Sequence, residues 1–249
     1  MITYGFELET VGASPRRLAA ILANAGLNAQ AEGYNHVTRE HWKAVSDGSL
    51  HTRLGSGEAG EVVSPILNLG SFSELKKVTR ALSAAGVRVN KSCGLHVHVG
   101  GIDLSREGVL EYARAWIALQ PAIDLLVAPS RRGANCGYAK RLNGHDLQYI
   151  ARGDYGSLDR YKTFNASSLL RQPTVEIRQH QGSLNASKIW AWTEFISNLF
   201  TVVSGGARFS QIADELSLNA TLELLDAVNL SDDSKRILTE RATDFAEAL

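Results

Sequence analysis

Four short segments of this chain set ionisable side chains against apolar ones in the rhythm of a strand. In GFELET, Glu7 and Glu9 alternate with Phe6 and Leu8. In CGLHVHVG, His96 and His98 alternate with Leu95, Val97 and Val99. TVEIRQH repeats the pattern, with Glu176, Arg178 and His180 against Val175 and Ile177. In GEAGEVVSP, Glu58 and Glu61 lead into an apolar run. Successive side chains on a strand point to opposite faces, so residues i and i+2 share one. Each segment taken alone is also what a half-solvated strand looks like. Taken together, they predict a sheet with one face packed on helices and the other carrying carboxylates, imidazoles and a guanidinium.

The rest of the chain frames these strands. Residues 2–9 read as the first strand, and Ser14-Pro15 opens a helix that stops near Gly26. Short extended segments follow over 27–66, broken at Asp47-Gly48 and at the glycines around Gly57. A helix from Ser73 to just before Gly86 precedes two strands at 87–90 and 95–100, with a turn around Ser92 and Gly94. Residues 105–127 are helical in pattern, and 129–145 is a glycine-rich, basic and irregular stretch. Strands at 160–166 and 173–179 suit a hairpin. Asn185 caps a helix to about Val203, and the remainder is mostly helical. Strands separated by helices, with antiparallel pairs, define an α+β class with helices on one sheet face. A single domain over 1–249 is expected, with its motifs in 2–205 and a helical extension over 206–249.

Composition narrows the function classes. The 26 basic and 26 acidic side chains balance, which argues against a nucleic-acid surface spread over the whole protein. No apolar run is long enough to span a bilayer, so no membrane role is expected. The opening MITYGFELET puts two glutamates where a secretory leader needs apolar residues, and a cytoplasmic location is expected. Two cysteines, Cys93 and Cys136, imply no disulfide framework and have no recognisable activating arrangement.

The polar faces have a chemistry of their own. Hard divalent cations take oxygen ligands, several glutamates can share them, and an imidazole is an acceptable further ligand. Carboxylates crowded together without a cation repel and lose their charge. Arginine, planar and permanently charged, is the usual partner of a phosphate. The combination points to a metal–phosphate site.

In these motifs the sequence resembles the amidoligase family of the carboxylate-amine ligases, a compact relative of glutamine synthetase and glutamate–cysteine ligase. The matching segments are GFELE near the start, DGSL at 47–50, GEVVSP at 60–65, GLHVHVG at 94–100, YKTFN at 161–165 and VEIRQHQGSL at 175–184. The resemblance implies a glutamine synthetase-like catalytic fold, a curved and mainly antiparallel sheet with helices on its convex face. ATP and two magnesium ions, or manganese, would sit on the concave face. It implies that Glu7, His96 and Glu176 hold the metal at the nucleotide phosphates, and that Glu9 and Glu61 hold a second metal near the substrate carboxylate. Arg178 would neutralise the transferring phosphoryl group, and His98 would lie behind the ligands or on the nucleotide. A further acid of glutamine synthetase, upstream of the position of Glu61, has no glutamate here, so Asp47, Glu58 or water would take its place. The implied reaction is ATP-dependent amide formation between a small-molecule or peptide carboxylate and an amine, through an acyl phosphate. Asp47, placed by position alone, would accept the amine's proton.

Three further features bear on this reading. Arg131, Arg132, Lys140 and Arg141 in the basic stretch either close over phosphates or an acidic substrate, or form a solvated loop. Tyr161, Thr163 and Asn165 share a strand face and would meet nucleotide or substrate, with Lys162 pointing away. A metal-dependent hydrolase or phosphatase would use the same glutamates and histidines to activate water. A binding module that lost turnover is disfavoured by the presence of Glu7, Glu9, Glu176 and Arg178 together.

Overall fold

A computed structural model describes residues 1–50, 58–133, 136–210 and 216–248. The chain divides into two compact units. One comprises Thr3–His98 with Gln181–Ile189, and the other Met1–Ile2, Val99–His180 and Trp190–Leu249. The fold is mixed α/β: Thr3–Val11 pairs antiparallel with Ala59–Val63, Trp42–Val45 antiparallel with Ala59–Val63, Phe164–Asn165 antiparallel with Val175–Gln181, and Ala29–Ala31 parallel with Trp42–Val45.

The first unit is built on β1 (Thr3–Val11), β2 (Ala29–Ala31), β3 (Trp42–Val45), β4 (Ala59–Val63) and most of β5 (Gly94–Gly100). They lie in the order β2-β3-β4-β1-β5. The alternation read in GFELET is realised, since Tyr4, Phe6 and Leu8 are buried on the face opposite Glu7 and Glu9. Helix α1 (Pro15–Asn24) starts behind Ser14 with proline in its first turn, where a missing N–H costs nothing. Ser14 does not cap it through its hydroxyl. Instead the Ser14 N–H donates to Glu58 Oε2 at 3.1 Å. The helix buries Leu18, Ala19 and Leu22, and packs on β3 and β4. Gly60 permits this approach, because a Cβ there would meet Leu18 Cδ1 at 2.8 Å. Helix α2 (Phe72–Ala84) buries Leu75, Val78, Thr79 and Leu82, one face of a 3.6-residue period.

The strand expected at 87–90 is absent. Only a single bridge joins Arg88 to Val11 of β1. Asn90 turns the chain there, its Oδ1 accepting from the Ser92 N–H at 2.8 Å. A side chain that hydrogen-bonds its own backbone two residues on competes with a ladder.

The second unit carries α3 (Arg106–Asp124), α4 (Gly144–Arg152), β6 (Phe164–Asn165), most of β7 (Val175–Gln181) and of α5 (Ala186–Ser204), α6 (Leu218–Ala227) and α7 (Asp232–Glu247). Its core is aromatic: Trp116 lies 6.2 Å from Phe164 and 6.4 Å from Trp192, ring centre to ring centre, and Tyr112 lies 4.7 Å from Phe200. The expected hairpin exists, pairing Phe164 with Ile177 and Asn165 with Glu176, but its first strand is two residues long. Thr163 is drawn into the core instead, bonded to Trp116 Nε1 at 3.1 Å and to Gln120 Oε1 at 3.0 Å. Helix α4, inside and beyond the stretch read as irregular, follows a capping box: Asn143 Oδ1 accepts from the Asp146 N–H, and the Asp146 side chain accepts from the Asn143 N–H. Asn185 does cap α5, its Oδ1 taking the Lys188 N–H at 3.0 Å. The turn expected around Gly57 and residues 134–135 of the basic stretch lie outside the described residues, as do 211–215 and Leu249 of the helical extension.

Candidate active site

The antiparallel register of β1 and β4 sets Glu9 directly opposite Glu61, and Glu7 opposite Val63. Opposed residues share a face with Cβ atoms close together, and like charges so placed repel. Both carboxylates are buried, at 5% and 7% exposure, which sharpens the repulsion. His96 of β5 answers part of it. Its Nε2 lies 3.4 Å from Glu9 Oε1, and its Nδ1 lies 2.8 Å from Glu7 Oε2. One ligand atom from each of Glu9, Glu61 and His96 falls within 4.8 Å of the others. Two hard oxygens and a nitrogen at that spacing form a donor set that fits a divalent cation. His98 Nε2 is 3.4 Å from Glu7 Oε1. Burial opposes ionisation of Glu7, but hydrogen bonds and charge from His96 and His98 outweigh it and hold its carboxyl well below the usual range. Glu9 Oε2 also accepts the Gly94 N–H, which ties the β1 carboxylate to the start of β5.

Lys43 is a residue that motif reasoning missed. It pairs with Val63, which also faces Glu7, so the three form one row across β3, β4 and β1. Its ammonium is buried and donates to Asn35 O, Asn35 Oδ1 and Val37 O at 2.9–3.0 Å. Burial lowers its pKa, while Glu32, Glu7 and Glu61 pull it back up. A lysine between Trp42 and Ala44 in an otherwise apolar strand was the available signal. The same loop is tied by Glu32, which accepts from Arg39, Asn35 and His41. Hydrogen bonds from Arg39 first, then Asn35, lower the Glu32 pKa to about 2. Ionised Glu32 therefore favours the folded loop above about pH 4, and that contribution is lost as the pH falls toward 2. A carboxyl-detected NMR titration should show Glu32 titrating near 2; an ordinary midpoint would mean the loop is not tied this way.

In the second unit, Glu176 accepts from Asn165 Nδ2 at 2.6 Å and from Arg178 Nη1. Arg178 Nε points to Tyr138 O at 3.4 Å, and its guanidinium carbon lies 5.8 Å from the Tyr161 ring centre. Glu176 and Arg178 thus share a face of β7, with Asn165 and Tyr161 beside them. His180, read as sharing that face, instead packs on Trp192 of the aromatic core with ring centres 5.4 Å apart. Other candidates sit elsewhere in the local structure. Asp47 Oδ1 accepts the Ser49 N–H at 2.7 Å in the turn after β3. Arg131 is buried, with Nη1 4.0 Å from Cys136 Sγ. Arg132 Nε donates to Asp124 O at 3.0 Å and Val127 O at 3.2 Å. Arg141 pairs with Asp124, Lys140 with Asp159, and Lys162 with Asp146.

The family described as "Putative amidoligase enzyme" matches residues 1–152 and 154–200, and the chain belongs to it. Amidoligases are ligases that form amide bonds. The chain is also similar to a chain in the crystal structure of the complex between Prokaryotic Ubiquitin-like Protein Pup and its Ligase PafA, at 9% identity and a TM-score of 0.44. The match covers 99% of this chain and 63% of that one, so this chain spans less than two thirds of its length. No curated protein matches. No described helix is long and apolar enough to cross a membrane.

Proposed function

We propose that the chain is an ATP- and magnesium-dependent carboxylate–amine ligase, working through an acyl phosphate on a glutamine synthetase-like catalytic fold. The observation that carries this reading is the opposition of buried Glu9 and Glu61 across an antiparallel pair, with His96 in reach of both. Such an arrangement is costly without a cation and favourable with one. Membership of the amidoligase family supplies the reaction class.

Glu9, Glu61 and His96 would hold a divalent cation, magnesium or manganese, with Glu7 fixing the ring of His96 through Nδ1. A bound cation supplies charge neutralisation at phosphate and carboxylate oxygens. His98, beside Glu7, supports that carboxylate's charge. Glu176 would act as a ligand at the nucleotide side. Arg178, braced by Glu176 and the Tyr138 carbonyl, presents a planar cation to the phosphoryl group in transfer. Asn165 orients Glu176, and Tyr161 lies against the Arg178 guanidinium. A carboxylate is a poor acceptor for an amine, because oxide or hydroxide would have to leave. Phosphorylation by ATP converts that oxygen into a phosphate leaving group, after which the amine attacks and loses a proton. Asp47 stands as the acceptor of that proton. Peptide or small-molecule carboxylates and amines are the substrates this reading requires.

ATP should bind weakly in chelator and much more tightly once magnesium or manganese is added. Calorimetry in the two conditions checks this. Equal ATP affinity with and without metal would remove the metal–nucleotide arrangement.

A further inference from the structure

The second unit holds two guanidinium groups gathered on one ring. Arg132, at 7% exposure, follows a short turn at Pro129–Arg131, and Arg241 lies on α7 one turn before Phe245. Their guanidinium carbons are 5.4 Å and 5.2 Å from the Phe245 ring centre. Arg132 uses Nε for the Asp124 and Val127 carbonyls, but its Nη2 is buried without a hydrogen-bond partner among the described residues. Among the described residues, Arg241 Nε and Nη2 are both buried and unpartnered. Of the acids on α6 and α7, Glu240 and Asp233 pair with Arg236, and Asp226 with Lys235. Burial pulls the Arg241 pKa down to about 10.

An aromatic face offsets part of the cost of burying a guanidinium but accepts none of its N–H groups. Nε and Nη2 of one guanidinium form the edge that takes two oxygens side by side. Three unpartnered nitrogens exceed the two oxygens of a carboxylate and suit a phosphoryl group. We infer that Arg132 and Arg241, gathered on Phe245, form a binding site for a phosphate-type oxyanion, with the Nε–Nη2 edge of Arg241 as its main contact. Arg241 and Phe245 stand beyond residue 200, where the family match ends, so the site combines the family segment with the C-terminal helix. It contains none of the carboxylates or imidazoles of the candidate metal centre.

The test is a titration of the full chain with inorganic phosphate, free of metal and nucleotide, at constant ionic strength with chloride. The readout is the set of arginine Nε–H resonances. The Arg241 resonance should shift saturably, together with that of Arg132. Arg241→Gln should weaken phosphate binding about tenfold, the loss expected for a charge-assisted contact. Arg241→Lys, which keeps the charge without the paired edge, should weaken it as well and serves if the glutamine variant folds poorly. Arg178→Gln should leave the phosphate-induced shift of the Arg241 resonance and its midpoint unchanged. The inference falls if Arg241 shows no saturable shift, if both Arg241 variants bind as wild type does, or if Arg178→Gln removes the binding. That last outcome would place the phosphate at the proposed nucleotide site.

Discussion

Glu61→Gln should remove most divalent-cation binding while leaving the metal-free protein at least as stable as wild type. The two effects have one origin. Glu61 faces Glu9 across β1 and β4, so neutralising it removes a like-charge contact between buried groups. Relief of an opposed pair amounts to up to about 1 kcal/mol, about 2–4 °C in Tm for a chain of this size. The same change replaces a charged carboxylate by a neutral amide at one of the three donors that come within 4.8 Å of one another. Cation affinity should fall about a hundredfold, and ligase turnover at least in proportion, since metal charge stabilisation is worth several kcal/mol. Melting and calorimetry on one preparation decide it. A metal-free variant that melts far below wild type would mean that Glu61 serves packing; unchanged cation affinity would mean that the site is not a metal centre. Glu176→Gln would also take a buried carboxylate partner from Arg178.

Enzyme, ATP, magnesium and a suitable carboxylate should yield a hydroxamate when hydroxylamine replaces the amine, with ADP released in equal amount. An acyl phosphate accepts any small, strong nucleophile that reaches its carbonyl carbon, so the natural amine need not be known. A broad panel of carboxylates is required. Arg178→Lys should lower the yield about a hundredfold, because an ammonium is a point charge and cannot make the paired contacts of a guanidinium. It would also lose the contact of Nε with the Tyr138 carbonyl. ADP release that follows a carboxylate but never gives hydroxamate would indicate a kinase-type reaction. Product formation without nucleotide would favour a metal-dependent hydrolase and end the ligase reading.

The alternation of polar and apolar residues was enough to assign faces. Glu7 and Glu9, His96 and His98, and Glu176 and Arg178 each occupy the sides that strand geometry dictates, with Phe6, Leu8, Val97 and Ile177 buried behind them. Local signals also located most helices, through Pro15 for α1, Ser105 for α3 and Asn185 for α5. The capping box at Asn143 and Asp146 is a signal of the same kind, but it falls in the stretch read as irregular, and α4 was missed. Where local signals misled, a competing bond was the reason. Asn90 engages its own turn where a strand was expected at 87–90, and Thr163 turns into the core and shortens β6.

Register and partnership were decided only by tertiary structure. The face of Glu61 follows from the sequence, but its opposition to Glu9 depends on how far β4 slides along β1. A slip of one residue would send its side chain to the other face. The row of Lys43, Val63 and Glu7 depends on two registers at once. The arginines of the basic stretch give the same lesson: their charge was plain, yet Arg132 meets the ring of Phe245, more than a hundred residues later. Side-chain direction along a strand is set by the covalent geometry of adjacent residues, so the sequence carries it. Which distant group lies opposite is set by the packing of whole elements, and only the folded chain determines it.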